Sequence, residues 1–246
     1  MINRVRLVLA ILILPLVLSA AGKIYQPPKF TPTSEYRTEN IDGWTVRVNP
    51  QLSKTNPQLE KETLRELRNQ LYRITRVIPP AALERIRKIE IWVELELPKT
   101  ACMCYHVSKG WLIPNGYNPD KEGAVEIGNA RAFVDWTRGQ PWMVLHELAH
   151  GYHDKVFGYD HKGIADAWQR MLDGGTYEQV GHISGRPRRH YALVNPMEYF
   201  SETTEAIYGR NDFHPYVRSE LEKVDPEGMA LVQSLWELDP VPADIR

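Results

Sequence analysis

Two periodicities divide the chain. From Trp44 to Asn49 the string W-T-V-R-V-N alternates apolar with polar and stops at Pro50, which predicts a short strand. Asn56-Pro57 then opens a helical pattern, with Leu64, Leu67, Leu71, Ile74 and Ile78 at steps of three and four, and Pro79-Pro80 ends it. Ala81 to Lys88 predicts a short helix. I-E-I-W-V-E-L-E-L from Ile89 alternates with only Trp92 out of pattern, as a strand with one buried face does. Residues 98–123 are punctuated by Gly, Pro and Asn and read as loop. The strand predicted from Val125 to Asn129 is a candidate sheet edge, on which an extended peptide would lie by strand addition.

Downstream the period is mostly helical. Gln140-Pro141 marks the start of a helix running to about Phe157, and a second covers roughly Ile164 to Leu172. Residues 174–194 read as loop or hairpin, Asn195-Pro196 starts a helix to about Tyr208, and Pro215 to Leu238 is helical with a break near Pro226. There is no internal repeat. Strands mixed with helices first and mostly helices afterwards predict an α+β domain of two lobes, with a mixed sheet and helices in the N-terminal lobe and a mainly helical C-terminal lobe. The helix after Pro141 would lie at their junction.

The first residues change where the domain begins. A basic start, an apolar run from Leu7 to Leu18 and the small residues S-A-A-G predict an export signal over residues 1–21, hence a periplasmic or extracellular protein. The run carries Pro15 and falls short of the roughly 20 apolar residues of a bilayer span, so no stable membrane anchor is expected. Residues 22–40, rich in Pro, Thr and Ser, read as a linker into a domain over 41–246. With 246 residues, 43% of them apolar, the chain can bury a substantial core. A formal net charge of −1, without long single-sign blocks, gives no electrostatic reason for a nucleic-acid or anionic-membrane partner. The partner class must come from a site.

That site is announced by V-L-H-E-L-A-H-G-Y-H, Val144 to His153. On a helix His146 and His150 share a face and can present two imidazoles to one ion, with Glu147 beside them as base. Zinc lowers the pKa of bound water toward about 7 and polarises a carbonyl, and a carboxylate takes the proton. His153 shares the face but lies about 10 Å from His146 along the axis, too far to ligate the same ion, so it reads as a polar group behind the ligands. The pattern H-E-x-x-H-x-x-G-x-x-H fails, because His153 and Val156 stand at its glycine and last histidine. A carboxylate from the helix after Asn195 is the remaining route, and Glu198, Glu202 and Glu205 share one face of it. Spacing leaves Glu198 and Glu202 in competition, one to bind the ion and the other to orient a ligand histidine. Glu198 could instead close a capping box on Asn195.

His146-Glu147-Leu148-Ala149-His150 together with H-Y-A-L-V-N-P-M-E-Y-F-S-E, in which Tyr191 precedes Glu198 by seven residues, resembles the gluzincin metallopeptidase family of the anthrax lethal factor catalytic domain and the Pro-Pro endopeptidases. The resemblance covers about Pro141 to Tyr208. It implies a zincin-like fold, Glu198 as third zinc ligand, Tyr191 as catalytic phenol and Glu202 behind the ligands. Tyr191 would then donate a hydrogen bond to the oxyanion of a tetrahedral intermediate, with Arg189 and His190 as neighbouring alternatives. The chain also resembles exported bacterial proteins that carry C-x-C-Y-H and Q-P-W-M-V-L-H-E-L-A-H, which implies a branch with its own substrate. Cys102, Cys104 and His106 would share a strand face, as a second metal site, a small-ring disulfide or packed thiols.

The expected function is an exported zinc metallopeptidase acting on a peptide or protein substrate through one catalytic Zn2+. The alternatives are a zinc-containing binding protein without turnover and a zinc amide or ester hydrolase acting on a non-peptide substrate.

Overall fold

The computed structural model describes residues 30–239, so the predicted export signal lies outside the described residues. The strands are β1 (Arg37–Ile41), β2 (Trp44–Val48), β3 (Ile91–Val93), β4 (Met103–Tyr105) and β5 (Val125–Ile127). The helices are α1 (Pro50–Thr55), α2 (Pro57–Thr75), α3 (Pro80–Ile86), α4 (Lys109–Asn115), α5 (Ala130–Trp136), α6 (Met143–Tyr152), α7 (Lys162–Gly174), α8 (Pro196–Tyr208), α9 (Arg218–Val224) and α10 (Pro226–Trp236). Five of these helices, α1, α2, α5, α8 and α10, start behind an Asn or Asp whose side chain accepts a backbone N–H, and all but α5 carry Pro in the first turn. Among the described residues no helix is long and apolar enough to cross a membrane.

The strands form one sheet in the order β1-β2-β3-β5-β4. β1 and β2 make an antiparallel hairpin, turned by Asp42 and Gly43 at positive φ, as two-residue hairpin turns require. β2, β3 and β5 run parallel, and β4 closes one edge antiparallel to β5. The α+β class expected from the chain is the class observed.

Register assigns the two faces. Val46, Ile91, Val125 and Tyr105 are aligned across the sheet, as are Val48, Val93, Ile127 and Met103, and both rows point to the main core. The row between them, Arg47, Trp92, Glu126 and Cys104, faces the other way. Against the core face lie α2 with Leu67, Leu71 and Ile74, and α6 with Val144, Leu145, Leu148 and Ala149, all fully buried. The orphan N–H of Val144 at the start of α6 donates to Gln70 Oε1 of α2 at 3.1 Å. Gly151 brings α6 against the sheet edge: a Cβ there would lie 2.6 Å from Ile89 and 3.0 Å from the Tyr105 ring.

α8 packs along α6, and α10 holds both. The Trp236 ring stacks on Tyr152 of α6 at 4.2 Å and lies 6.0 Å from Phe200 of α8. Its Nε1 donates to Thr204 Oγ1 at 2.9 Å, and Tyr152 Oη donates to the Leu235 carbonyl at 3.1 Å.

Three expectations are corrected. The linker expected over 22–40 gives way to β1 at Arg37, whose mostly exposed R-T-E-N-I carries no buried alternation to read. The stretch 98–123 holds β4 and α4; β4 is only three residues long, and Gly110 and Pro114 mask the period of α4. The strand at Val125 is not an edge, because β4 covers it, so the edge is β4.

Trp236→Ala is expected to lower stability by about 3–5 kcal/mol, the cost of deleting a fully buried large aromatic. Equilibrium urea unfolding measures it.

Candidate metal centre

His146 and His150, one turn apart on α6, and Glu198 from the first turn of α8 converge at the α6–α8 contact. His146 Nε2 lies 3.1 Å from His150 Nε2 and 3.1 Å from Glu198 Oε2, and His150 Nε2 lies 3.2 Å from the same oxygen. A tetrahedral ion with bonds of about 2.0–2.1 Å holds its ligand atoms about 3.3 Å apart, so the donor set and its spacing fit such an ion. These residues form a group that could hold a metal ion. The capping role for the Glu198 side chain is not what is found: Asn195 Oδ1 accepts the Glu198 N–H at 2.8 Å and caps the helix, while the Glu198 carboxylate turns to the imidazoles.

Glu202 and Glu205 lie on the far side of His146. Glu205 Oε1 is 2.8 Å from His146 Nδ1, whereas Glu202 Oε1 is 3.5 Å away and its Oε2 accepts from Asn211 Nδ2 at 2.8 Å. The orienting role expected of Glu202 therefore falls mainly to Glu205, one turn further along the face. Which acid meets Nδ1 depends on how α8 is rotated against α6, and spacing within α8 does not contain that.

His153 is not behind the ligands. Its ring is fully buried between Tyr159 and Phe200, and neither nitrogen has a hydrogen-bond partner among the described residues. Burial, then the neighbouring His150, pushes its pKa down to about 3, which makes it a neutral packing group. Arg189 pairs with Glu178 at 3.1 Å, and His190 is buried with Nδ1 accepting the Ala192 N–H, so neither stands in for Tyr191.

A cleft of about 360 Å³ opens over His146 and Glu147, walled by Met103, Trp136, Arg188 and Tyr191. A second hollow of about 300 Å³ opens over His150 and Glu198 and shares Glu147 and Tyr191 with the first. Glu147 and Tyr191, expected as base and phenol, thus face the same space as His146, His150 and Glu198, with Tyr191 46% exposed at its mouth. Nothing local in the sequence singles out Arg188, Trp136 and Met103, because only the folding of the 174–194 segment, of α5 and of β4 beside α6 brings them there.

The charges are arranged for a cation. Burial pulls the His146 pKa down, but its hydrogen bonds to Glu198 and Glu205 outweigh that and leave it well raised. Burial alone would raise Glu198, yet its bonds to both imidazoles hold it far below the carboxylate range. Glu202 and Glu205 are raised, first by burial, with the charge of Glu205 next for Glu202. Burial and then the Glu198 charge raise Tyr191, so its phenol keeps its proton at neutral pH and is a donor.

The cysteines are free thiols, not a disulfide. Cys102 precedes β4 and escapes its alternation: Sγ lies 3.4 Å from Met143 Sδ in the core, and burial pushes its pKa up to about 12. Only Cys104 and His106 share a face.

Comparison with protein families, with curated proteins and with solved structures finds no match for this chain.

Glu205→Ala is expected to weaken metal binding about 10- to 100-fold, as loss of the partner behind a ligand histidine does, and Glu202→Ala less; chelator competition measures both. A second outcome concerns acid. His153 and His190 are both held down to about 3 by burial, so between the unfolded value near 6.5 and that point the unfolded chain binds more protons. Stability is therefore lost as pH falls through this window. In chelator-treated protein, His153→Leu is expected to shrink the loss between about pH 6 and 4 by about 2 kcal/mol, read by urea unfolding at each pH.

Proposed function

We propose that this chain is a zinc-dependent peptide hydrolase of the gluzincin type, with His146, His150 and Glu198 as ligands, Glu147 as general base and Tyr191 as oxyanion donor. The observation that carries the reading is the convergence of Nε2, Nε2 and Oε2 at 3.1–3.2 Å beneath a cleft that Glu147 and Tyr191 also face. The resemblance of H-E-L-A-H and of the Tyr191–Glu198 spacing to lethal factor and the Pro-Pro endopeptidases supports it, and with it a two-lobed zincin fold. The export signal read over residues 1–21 supports a periplasmic or extracellular site of action.

Zinc bound there supplies a Lewis acid that activates water and polarises a carbonyl. The protein's own groups do the rest. Glu147 takes a proton from the attacking water and returns it to the leaving amine, a general acid–base role worth roughly 10²–10⁴-fold. The Tyr191 phenol, kept protonated by burial and by Glu198, donates to the developing oxyanion, worth roughly 3 kcal/mol for one donor. Glu205 holds the His146 ring so that Nε2 faces the ligand position. β4 is the sheet edge beside this cleft, and a substrate strand can pair with it in extended form.

The arrangement favours an enzyme over a binding protein. Three protein ligands facing a cleft leave one position open, whereas a structural zinc is closed by four.

The test is cleavage of a peptide library by the zinc-loaded protein, read by mass spectrometry beside bound metal. Glu147→Gln is expected to keep zinc and lose turnover, and Tyr191→Phe to keep zinc and lose about 10²–10³-fold in kcat. Cleavage undiminished in Glu147→Gln contradicts the reading.

A further inference from the structure

On the opposite face of the sheet from the main core, the register row that carries Trp92 ends in Glu126 of β5 directly across from Cys104 of β4. Two residues on, where the ladder continues through the His106 N–H to the Ala124 carbonyl at 2.9 Å, His106 emerges on the same face. We propose that Cys104, His106 and Glu126 form a second metal site, taking a divalent cation of the zinc class that accepts mixed sulfur, nitrogen and oxygen ligands.

The donor atoms are in place. Cys104 Sγ lies 3.6 Å from His106 Nε2, and bonds of about 2.3 Å to sulfur and 2.05 Å to nitrogen at a tetrahedral angle separate those atoms by about 3.6 Å. His106 Nε2 is 2.7 Å from Glu126 Oε2, a hydrogen bond that widens by about half an ångström when a cation replaces the proton. All three donors lie within 4.8 Å of one another, the same bound that groups His146, His150 and Glu198.

The surroundings suit a dication. Glu126 is fully buried and His106 nearly so, and the His106 ring is flanked by Trp111 at 6.1 Å and Tyr117 at 5.6 Å, which fix its plane. Lys121 binds the other Glu126 oxygen and also Glu94, at 2.6 Å, so Lys121 and Glu94 neutralise one another. Glu126 and a Cys104 thiolate then balance a dication, with His106 neutral, and the buried cluster has no net charge. Cys104 meets this network through His106 and the Thr100 side chain, and a thiol is a weak hydrogen-bonding group in either contact. As a soft ligand it adds the strongest preference for zinc-class ions. Of the three donors only Cys104 also lines the hollow beside Glu147 and His150, so a water completing the set would enter from the Cys104 side.

The three donors share no residue with the proposed catalytic set, so the site stands independently of the peptidase reading. The probe is Co2+ titrated into the full-length, thiol-reduced protein. Sulfur coordination gives an intense thiolate-to-cobalt charge-transfer band that a His-His-Glu site cannot give. The band is expected in wild type, in Cys102→Ser and in Glu198→Ala, and is expected to vanish in Cys104→Ser with one cobalt fewer bound per chain. Glu126→Gln is expected to weaken cobalt binding at this band about tenfold or more. No band in wild type, or a band that survives Cys104→Ser and vanishes in Cys102→Ser, overturns the proposal. A band at one cobalt per chain that survives Glu198→Ala supports it while contradicting the catalytic set.

Discussion

His146 is held at both ring nitrogens by one helix, and this constraint organises the molecule. Nε2 meets Glu198 and Nδ1 meets Glu205, residues two turns apart on α8, so α8 must lie along α6 at one rotation and one height. An imidazole gripped at both ends cannot swing, and a ligand that cannot swing presents its nitrogen to an ion at little further entropic cost. The apolar packing serves that alignment. α6 is seated on the sheet by four fully buried apolar side chains and by the close approach at Gly151. α10 fixes the two helices to each other through Trp236, stacked on Tyr152 of one and bonded to Thr204 of the other.

The arrangement is costly without a cation. Glu202 and Glu205 are both about 4% exposed, and burial holds their pKa values up. Three acids around a single imidazole carry more potential negative charge than that ring can balance, and a dication held there, as proposed, would relieve it. Across β4 a second polar cluster, Glu94, Glu126, Lys121 and His106, is buried under the other face of the sheet, and there Lys121 and His106 already partner the two acids. A short edge strand thus separates two polar clusters, one read as catalytic and one proposed as a further metal site.

Much of this was legible in the chain, and the rest was not for stated reasons. The strand at Trp44, the long α2, the helix bearing H-E-L-A-H and the helix after Asn195-Pro196 all show strong period and Asn or Pro start signals, which are local. His146, His150 and an acid of α8 follow from helix geometry alone. Choosing among Glu198, Glu202 and Glu205 needs the rotation of α8 on α6, a tertiary quantity; the family resemblance pointed to Glu198, and the geometry supports that choice. β4 has three residues and exists only through its pairing with β5, so the sequence by itself reads as loop there and makes its neighbour the edge. Glu126 looked like the polar position of an alternating strand, and nothing local links it to Cys104; the register does. His153 shares a helical face with His146 and His150 in projection, but its burial against Tyr159 comes from the turn after the helix and that against Phe200 from α8, far along the chain.

The most direct measurement of the central claim is a crystal structure of the zinc-loaded protein with anomalous scattering recorded at the zinc edge. The account predicts an ion bound by His146 Nε2, His150 Nε2 and Glu198 at about 2.0–2.2 Å, with a non-protein ligand in the fourth position and Glu205 still on His146 Nδ1. An ion held instead by Glu202 and Glu205, or one closed by four protein ligands, would contradict it.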